Sequence, residues 1–273
     1  MKTVIVIPAR MGSTRFPGKP LAPIAGRSMI SRVVAVAKAA ADEIGAGTDV
    51  FVATDAEEIA AEATRAGAAV IMAIGDYVSG TDRINGALEQ EGVAADFVLN
   101  LQGDAPFTPP AHLVALAHAA KSSSADVFTP VVRLDWEGLD QLRQQKEEHA
   151  FSGTTCVFNE RTRAALWFSK AVLPMIRNEQ NLREASSLSP VYRHIGLYGY
   201  RRSALTAFCQ LPTGHFEELE GLEQLRFLEN GISIDVIDVP APNVSVSGID
   251  TPDDIKRVED LLEELGDPGI PSV

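Results

Sequence analysis

Cysteine is nearly missing from this chain of 273 residues, which holds only Cys156 and Cys209. Their spacing matches no zinc cage, redox pair or disulfide framework, so both read as buried free thiols. Long apolar runs are missing too, which excludes a bilayer-spanning helix and membrane insertion. The N-terminus has one lysine before a five-residue apolar strand, which is not the pattern of a secretory leader. Positive charge is short: 24 Lys and Arg stand against 37 Asp and Glu, a net charge of -13. General nucleic-acid binding needs a cationic footprint, so no nucleic-acid partner is expected. Together these absences predict a cytoplasmic protein.

One absence is local. Met1–Ala41 contains no Asp or Glu, but it carries Lys2, Arg10, Arg15, Lys19, Arg27, Arg32 and Lys38. A purely basic segment in an acidic protein predicts an anion site. Arg27, Arg32 and Lys38 read as solvated helix-face charges. Arg10, Arg15 and Lys19 fall in the loop PARMGSTRFPGKP, where function concentrates. Gly12 and Gly18 let backbone N–H groups approach a ligand, and the cations add charge-assisted bonds to phosphate. The spacing is neither a P-loop nor GxGxxG. Composition alone leaves a phosphate cradle level with a proline-stiffened surface loop.

Short apolar runs alternate with helical periodicity along the first half. Strands are predicted at Val4–Pro8, Val50–Ala53, Ala69–Met72, Phe97–Leu101 and Ala125–Val132. Helices are predicted at Ser28–Ala41, Glu57–Ala66 (capped by Thr54 or Asp55), Ser79–Glu91 and Pro110–Lys121. This is an α/β pattern with a mostly parallel, doubly wound sheet, whose ligand lies beyond the carboxyl ends of the strands. From Trp136 the pattern changes. Leu139–Ala150 is polar, Cys156–Asn159 and Ala165–Phe168 read as a hairpin, and Arg193–Tyr200 as one alternating strand. A helix at Gly221–Asn230, a strand at Ile234–Val239 and a helix capped by Thr251 with Pro252 in its first turn complete the chain. The expectation is one domain over 1–273, with an inserted lobe at about 136–215.

The segment IPARMGSTRFPGKPL resembles the nucleotide-binding signature of the CMP-sugar-acid synthetases, and most closely the 3-deoxy-manno-octulosonate cytidylyltransferase (CMP-Kdo synthetase) family. VATDAEEI, SGTDRI, VLNLQGDAPF, ALWFSKAVLP, RHIGLYGYRR, LEGLEQLRFLENG and GIDTPDDIKRVE follow in the family's order. The resemblance implies a nucleotide-diphospho-sugar transferase-like fold. It also implies Mg²⁺-dependent transfer of CMP from CTP to the anomeric hydroxyl of 3-deoxy-manno-octulosonate (Kdo), for lipopolysaccharide biosynthesis.

The resemblance places Arg10, Ser13 and Lys19 on the triphosphate, with Arg15 beside them. It makes Asp104 and Asp250 a metal pair for Mg²⁺, a hard cation suited to carboxylates and phosphates. His194, Tyr198, Glu223 and Gln224 match positions used for the sugar acid. Arg83 and Gln102 are further pocket candidates, and Arg177 is a candidate for the sugar carboxylate. Read on their own residue types, Asp104 and Asp250 are ordinary turn and cap-preceding residues, and His194 and Tyr198 are polar positions of one strand face. Glu217, Glu218, Glu220 and Glu229 read as solvated charges, and His112, His118, His149 and His215 as surface or core-edge residues. Trp136 and Trp167 read as packing residues.

The family's QGDEP appears here as QGDAP, with Ala105 in place of Glu. That departure bears on which sugar acid is used. Alternatives are therefore a cytidylyltransferase for 8-amino-Kdo or a sialic-acid-like sugar, a sugar-1-phosphate nucleotidyltransferase, and a nucleotide-binding regulatory protein without turnover. The resemblance also implies a homodimer formed through the inserted lobe.

Overall fold

The structure is a computed structural model that describes residues 1–12, 16–242, 248–249 and 251–267. Ser13, Arg15 and Asp250 lie outside the described residues. The first strand, β1 (Thr3–Ala9), is buried along its whole length. A strand buried on both faces needs neighbours on both edges and a layer above and below it. The rest of the chain supplies them.

After β1 come a small hairpin, β2 (Pro23–Ile24) and β3 (Arg27–Ser28), then α1 (Met29–Ile44), β4 (Asp49–Thr54), α2 (Glu57–Arg65) and β5 (Ala69–Met72). Next are α3 (Gly80–Gln90), β6 (Phe97–Asn100), α4 (Pro110–Ser122) and β7 (Val127–Asp135). The second half adds α5 (Trp136–Glu148), β8 (Thr155–Phe158), β9 (Ala165–Ser169), α6 (Glu179–Ala185), β10 (Leu188–His194) and β11 (Tyr198–Arg201). It ends with α7 (Arg202–Gln210), α8 (His215–Glu220), α9 (Gln224–Glu229), β12 (Ile234–Asp238) and α10 (Pro252–Leu265).

One sheet runs β5-β4-β1-β6-β11-β7-β10-β8-β9, with β12 paired to β7. Its first four strands are parallel. Beyond them β11 runs antiparallel to both β6 and β7. Side chains alternate across β1. Ile5 and Ile7 pack with Ile30, Val33 and Val34 of α1 and Leu113 and Ala117 of α4. Val4 and Val6 face the opposite layer, with Ile84 and Leu88 of α3 and Leu205 and Phe208 of α7. This is the doubly wound α/β arrangement that the alternation of elements predicts. The TPDD segment also behaves as its residue types dictate. Thr251 and Asp254 form a reciprocal capping box, with Pro252 in the first turn of α10.

Several sequence expectations are corrected. Arg193–Tyr200 is not one strand: β10 ends at His194 and β11 starts at Tyr198, with Ile195-Gly196-Leu197 between them. The polar stretch after Trp136 is the helix α5, capped by Asp135, with Trp136, Leu139 and Leu142 buried. Gly221–Asn230 is not helical throughout, because α9 starts at Gln224. Neither Thr54 nor Asp55 is the N-cap of α2; Ala56 holds that place without a side-chain bond.

Buried partners explain the charges that were misread as solvated. Arg32 is 1% exposed, donates to the Ile24 carbonyl oxygen and pairs with Asp267. Glu217 is buried and takes two bonds from Arg226, whose guanidinium also lies 4.2 Å from the centre of the Phe208 ring. Glu220 is half-buried and accepts from Ser169 and the Lys170 N–H, whereas Glu218 and Glu229 are exposed as expected, Glu229 also accepting from the N–H groups of Phe216 and Glu217. His112 is buried with Nε2 2.9 Å from the Pro240 carbonyl oxygen. Cys156 is a buried free thiol, while Cys209 is only half-buried. Among the described residues, no helix is long and apolar enough to cross a membrane.

The Glu217–Arg226 pair leads to a stability prediction. Glu217→Gln leaves the Arg226 charge buried without its carboxylate. The expected loss is about 3–5 kcal/mol, the usual result of removing one partner of a buried pair. Urea unfolding measures it, and a loss well under about 1 kcal/mol, the range of exposed pairs, would contradict this reading.

Candidate active site

Parallel register brings three strand ends to one edge. Ala9 lies opposite Thr54, and Val6 opposite Asn100. The loops that leave β1, β4 and β6 carry PARMG, TDAEE and QGDAP. Their packing is close: a Cβ on Gly103 would lie 2.6 Å from the Pro8 carbonyl oxygen, so glycine is required there. The opening loop turns back on itself, with the Gly18 N–H donating to the Met11 carbonyl oxygen. Gly18 takes a left-handed conformation, φ 70°, and leads into a short 3-10 turn that begins at Lys19. Lys19 Nζ then lies 2.7 Å from Asp104 Oδ2. The lysine is largely buried, whereas the Asp104 side chain is 37% exposed.

A cavity of about 270 Å³ opens beside this contact, lined by Arg10, Lys19, Arg83, Gln102 and Asp104. Arg83 is held from behind. It donates to the Ala73 carbonyl oxygen and to Asp55 Oδ2, each at 2.9 Å, and lies 5.1 Å from the centre of the Tyr77 ring. Asp55 Oδ1 in turn accepts from the Met11 N–H. Asp55 therefore ties the opening loop to the wall of the cavity, a role that its residue type did not announce. Gln102 donates to Asn100 Oδ1 at 3.0 Å.

A second cavity, of about 540 Å³, shares Gln102 and Asp104 with the first. His194, Tyr198 and Gln224 line it, and so do the cations Lys170 and Arg193. His194 Nε2 is 2.8 Å from Thr129 Oγ1, and Phe168 meets the ring edge-on at 5.0 Å. Burial, assisted by Lys170, lowers the His194 pKa to about 3, so the ring is neutral. Burial raises Tyr198 well above its ordinary value, and Tyr200 and Glu223 add to the effect. His194 and Tyr198 stand on two strands rather than one, yet their ring centres are 5.5 Å apart. Gln224 is 3% exposed, and among the described residues its Nε2 has no acceptor. A buried donor without a partner is costly and points to a ligand oxygen.

Two candidates fall elsewhere. Arg177 is exposed and lines neither cavity. Glu223 lies behind the wall, where Oε2 accepts from the Thr81 hydroxyl at 2.9 Å and burial raises its pKa. Lys170 and Arg193 are the cavity cations that sequence reading passed over. Burial lowers the pKa of each, with Glu220 offsetting part of the effect on Lys170. Lys170 carried a signal, because it directly follows a strand in ALWFSK. Asp104 offers a hard carboxylate oxygen at the junction of the cavities. That suits Mg²⁺, which takes one or two carboxylates together with phosphates and water. Among the described residues no cluster of three or more His, Cys, Asp or Glu forms a closed metal cage.

A cytidylyltransferase family model matches residues 4–234. The chain belongs to this family of nucleotidyltransferases. It is 41% identical over 269 residues to the 3-deoxy-manno-octulosonate cytidylyltransferase of Maricaulis maris (strain MCS10), covering 98% of this chain and 99% of that one. It is 38% identical over 263 residues to the 8-amino-3,8-dideoxy-manno-octulosonate cytidylyltransferase of Shewanella sp. (strain ANA-3), covering 96% and 99%. A solved CMP:2-keto-3-deoxy-manno-octonic acid synthetase complexed with CTP is similar over 97% of this chain and 100% of that one, with 34% identity and a TM-score of 0.80. The resemblance in the sequence motifs and the α/β fold expected from it both hold for this cytidylyltransferase.

His194 makes stability depend on pH. The folded ring stays neutral down to about pH 3, while an unfolded histidine binds a proton below about 6.5. The unfolded state therefore binds more protons between these values, and stability falls as the pH drops through them. The expected slope from His194 is about 1.4 kcal/mol per pH unit between about pH 6 and 4. Urea unfolding across this range checks it, and His194→Gln should flatten the slope by that amount. An unchanged slope in the variant would contradict the burial argument.

Proposed function

We propose that this cytidylyltransferase transfers CMP from CTP to the anomeric hydroxyl of Kdo and releases pyrophosphate. The observation that carries the reading is the pair of cavities that meet at Gln102 and Asp104. A transfer reaction needs a donor and an acceptor held with their reacting atoms adjacent. The first cavity takes the nucleotide. Arg10 and Lys19 meet the triphosphate there, a role the sequence resemblance extends to Ser13 and Arg15. Lys19 has three donors on a compact ammonium, so it can bridge Asp104 and a phosphate oxygen.

The second cavity takes the sugar acid. Lys170 and Arg193 face its carboxylate, and His194, Tyr198 and Gln224 its hydroxyls. The anomeric oxygen forms a bond to the α-phosphorus as the bond to the β-phosphate oxygen breaks. The hydroxyl proton leaves to solvent, and pyrophosphate carries away the electron pair. Positioning and charge neutralisation supply most of such a reaction's acceleration. Asp104, together with Asp250, would hold Mg²⁺, which supplies a Lewis acid at the α-phosphate when bound.

Charge favours Kdo over the 8-amino sugar. Among the described residues lining the second cavity, Asp104 is the one carboxylate, and it is paired with Lys19. Ala105 adds no negative charge, whereas Lys170 and Arg193 repel a second ammonium. Segment 136–215 is proposed as the lobe for the sugar acid and for pairing of two copies. It supplies Lys170, Arg193, His194 and Tyr198 to the cavity and leaves Phe151, Leu166, Met175, Leu182 and Leu188 exposed.

Pyrophosphate release with CTP, Mg²⁺ and either sugar tests the assignment. Kdo is expected to exceed 8-amino-Kdo in kcat/KM by about tenfold, or about 1.4 kcal/mol. Asp104→Ala is expected to lower kcat by about 10²-fold or more. Preference for the amino sugar would overturn the charge argument. CTP binding without release for any sugar acid would make the protein a nucleotide-binding regulator. Sedimentation equilibrium at the monomer mass would overturn the pairing.

A further inference from the structure

His194 has two ring nitrogens, and the structure accounts for one of them. Nε2 lies 2.8 Å from Thr129 Oγ1. The same hydroxyl oxygen is 2.9 Å from the Leu197 carbonyl oxygen and 3.4 Å from that of Ile195. A hydroxyl has one proton to give, and carbonyl oxygens only accept. Thr129 therefore donates to the backbone and accepts from the ring, which puts the ring proton on Nε2. A neutral imidazole protonated there has a bare lone pair on Nδ1. His194 lines the second cavity, so the polar atom left for a ligand is an acceptor.

We propose that Thr129 is a positioning residue that locks His194 in the Nε2-protonated tautomer, so that Nδ1 accepts a hydrogen bond from a hydroxyl of the sugar acid. The inference rests on reading the second cavity as the acceptor site. The lock is built into the fold. Thr129 is fully buried in β7, with Val127 and Val131 on the same face also fully buried. The carbonyls it bonds come from the break between β10 and β11. There the Leu197 N–H also donates back to the Ile195 carbonyl oxygen at 2.8 Å. Had 193–200 been one regular strand, these carbonyls would join the ladder instead of meeting Thr129. Phe168 at 5.0 Å and Tyr198 at 5.5 Å confine the ring. The ring's low proton affinity suits orientation of a hydroxyl, not storage of its proton.

Nitrogen-15 spectra of the histidine side chains test the lock, with His194 assigned from its loss in His194→Gln. Between about pH 6 and 8 the expected pattern is one protonated, pyrrole-type Nε2 and one bare, pyridine-type Nδ1. A protonated Nδ1 would overturn the proposal whatever the Thr129 variants show. In kinetics, Thr129→Val is expected to raise KM for Kdo about tenfold, leave KM for CTP within about twofold and populate both tautomers. Thr129→Ser should restore the parent values. An unchanged Kdo KM in Thr129→Val, with the protein folded, would overturn the positioning role. If the spectra match but no sugar acid supports pyrophosphate release, the acceptor role fails and the tautomer lock alone stands.

Discussion

The parallel pairing of β1 with β4 on one edge and β6 on the other is the constraint from which the site follows. Its register aligns Ala9 with Thr54 and Val6 with Asn100. Three loops far apart in sequence then emerge side by side. Lys19 reaches Asp104, and Asp55 reaches both Met11 and Arg83. The burial of β1 on both faces makes a register slip costly, because every apolar side chain would change layer. The geometry of the first cavity is thus a consequence of core packing.

Charge placement follows a second logic. The protein is acidic overall, yet both cavities are lined with cations. Arg10 and Lys19 come from the acid-free N-terminal segment, Lys170 directly follows β9, and Arg193 lies in β10, both strands being at the far side of the sheet. A triphosphate and a sugar carboxylate are both anions, and the rest of the surface would repel them. Local cations offset that repulsion where the two substrates must sit together. On the proposed assignment, the antiparallel extension of the sheet lets one framework hold two anionic ligands, with the acceptor wall on β10 and on β11, the neighbour of β6.

What was legible in the sequence was local. Apolar runs, the helix cap at Thr251 and the glycine-bearing loops depend on neighbours a few residues away, and they were found. Arg32 and Glu217 were misread because their partners, Asp267 and Arg226, are set by folding and not by spacing. Arg177 fell outside both cavities, while Lys170 after β9 fell inside, a choice that only the three-dimensional path of the chain decides. The break at Ile195-Gly196-Leu197 was hidden because His194 and Tyr198 keep the alternation of a single strand. The glycine at its centre was the available signal. Thr129 is silent in sequence, because its role exists only through the carbonyls of that break.

The central claim is that donor and acceptor cavities meet at Gln102 and Asp104. A crystal structure with CTP and a Kdo analogue lacking the anomeric hydroxyl tests it most directly. The account predicts the α-phosphate beside Asp104, the triphosphate along Arg10 and Lys19, and the sugar carboxylate facing Lys170 and Arg193. A nucleotide bound away from this junction, or a sugar acid outside the second cavity, would contradict it.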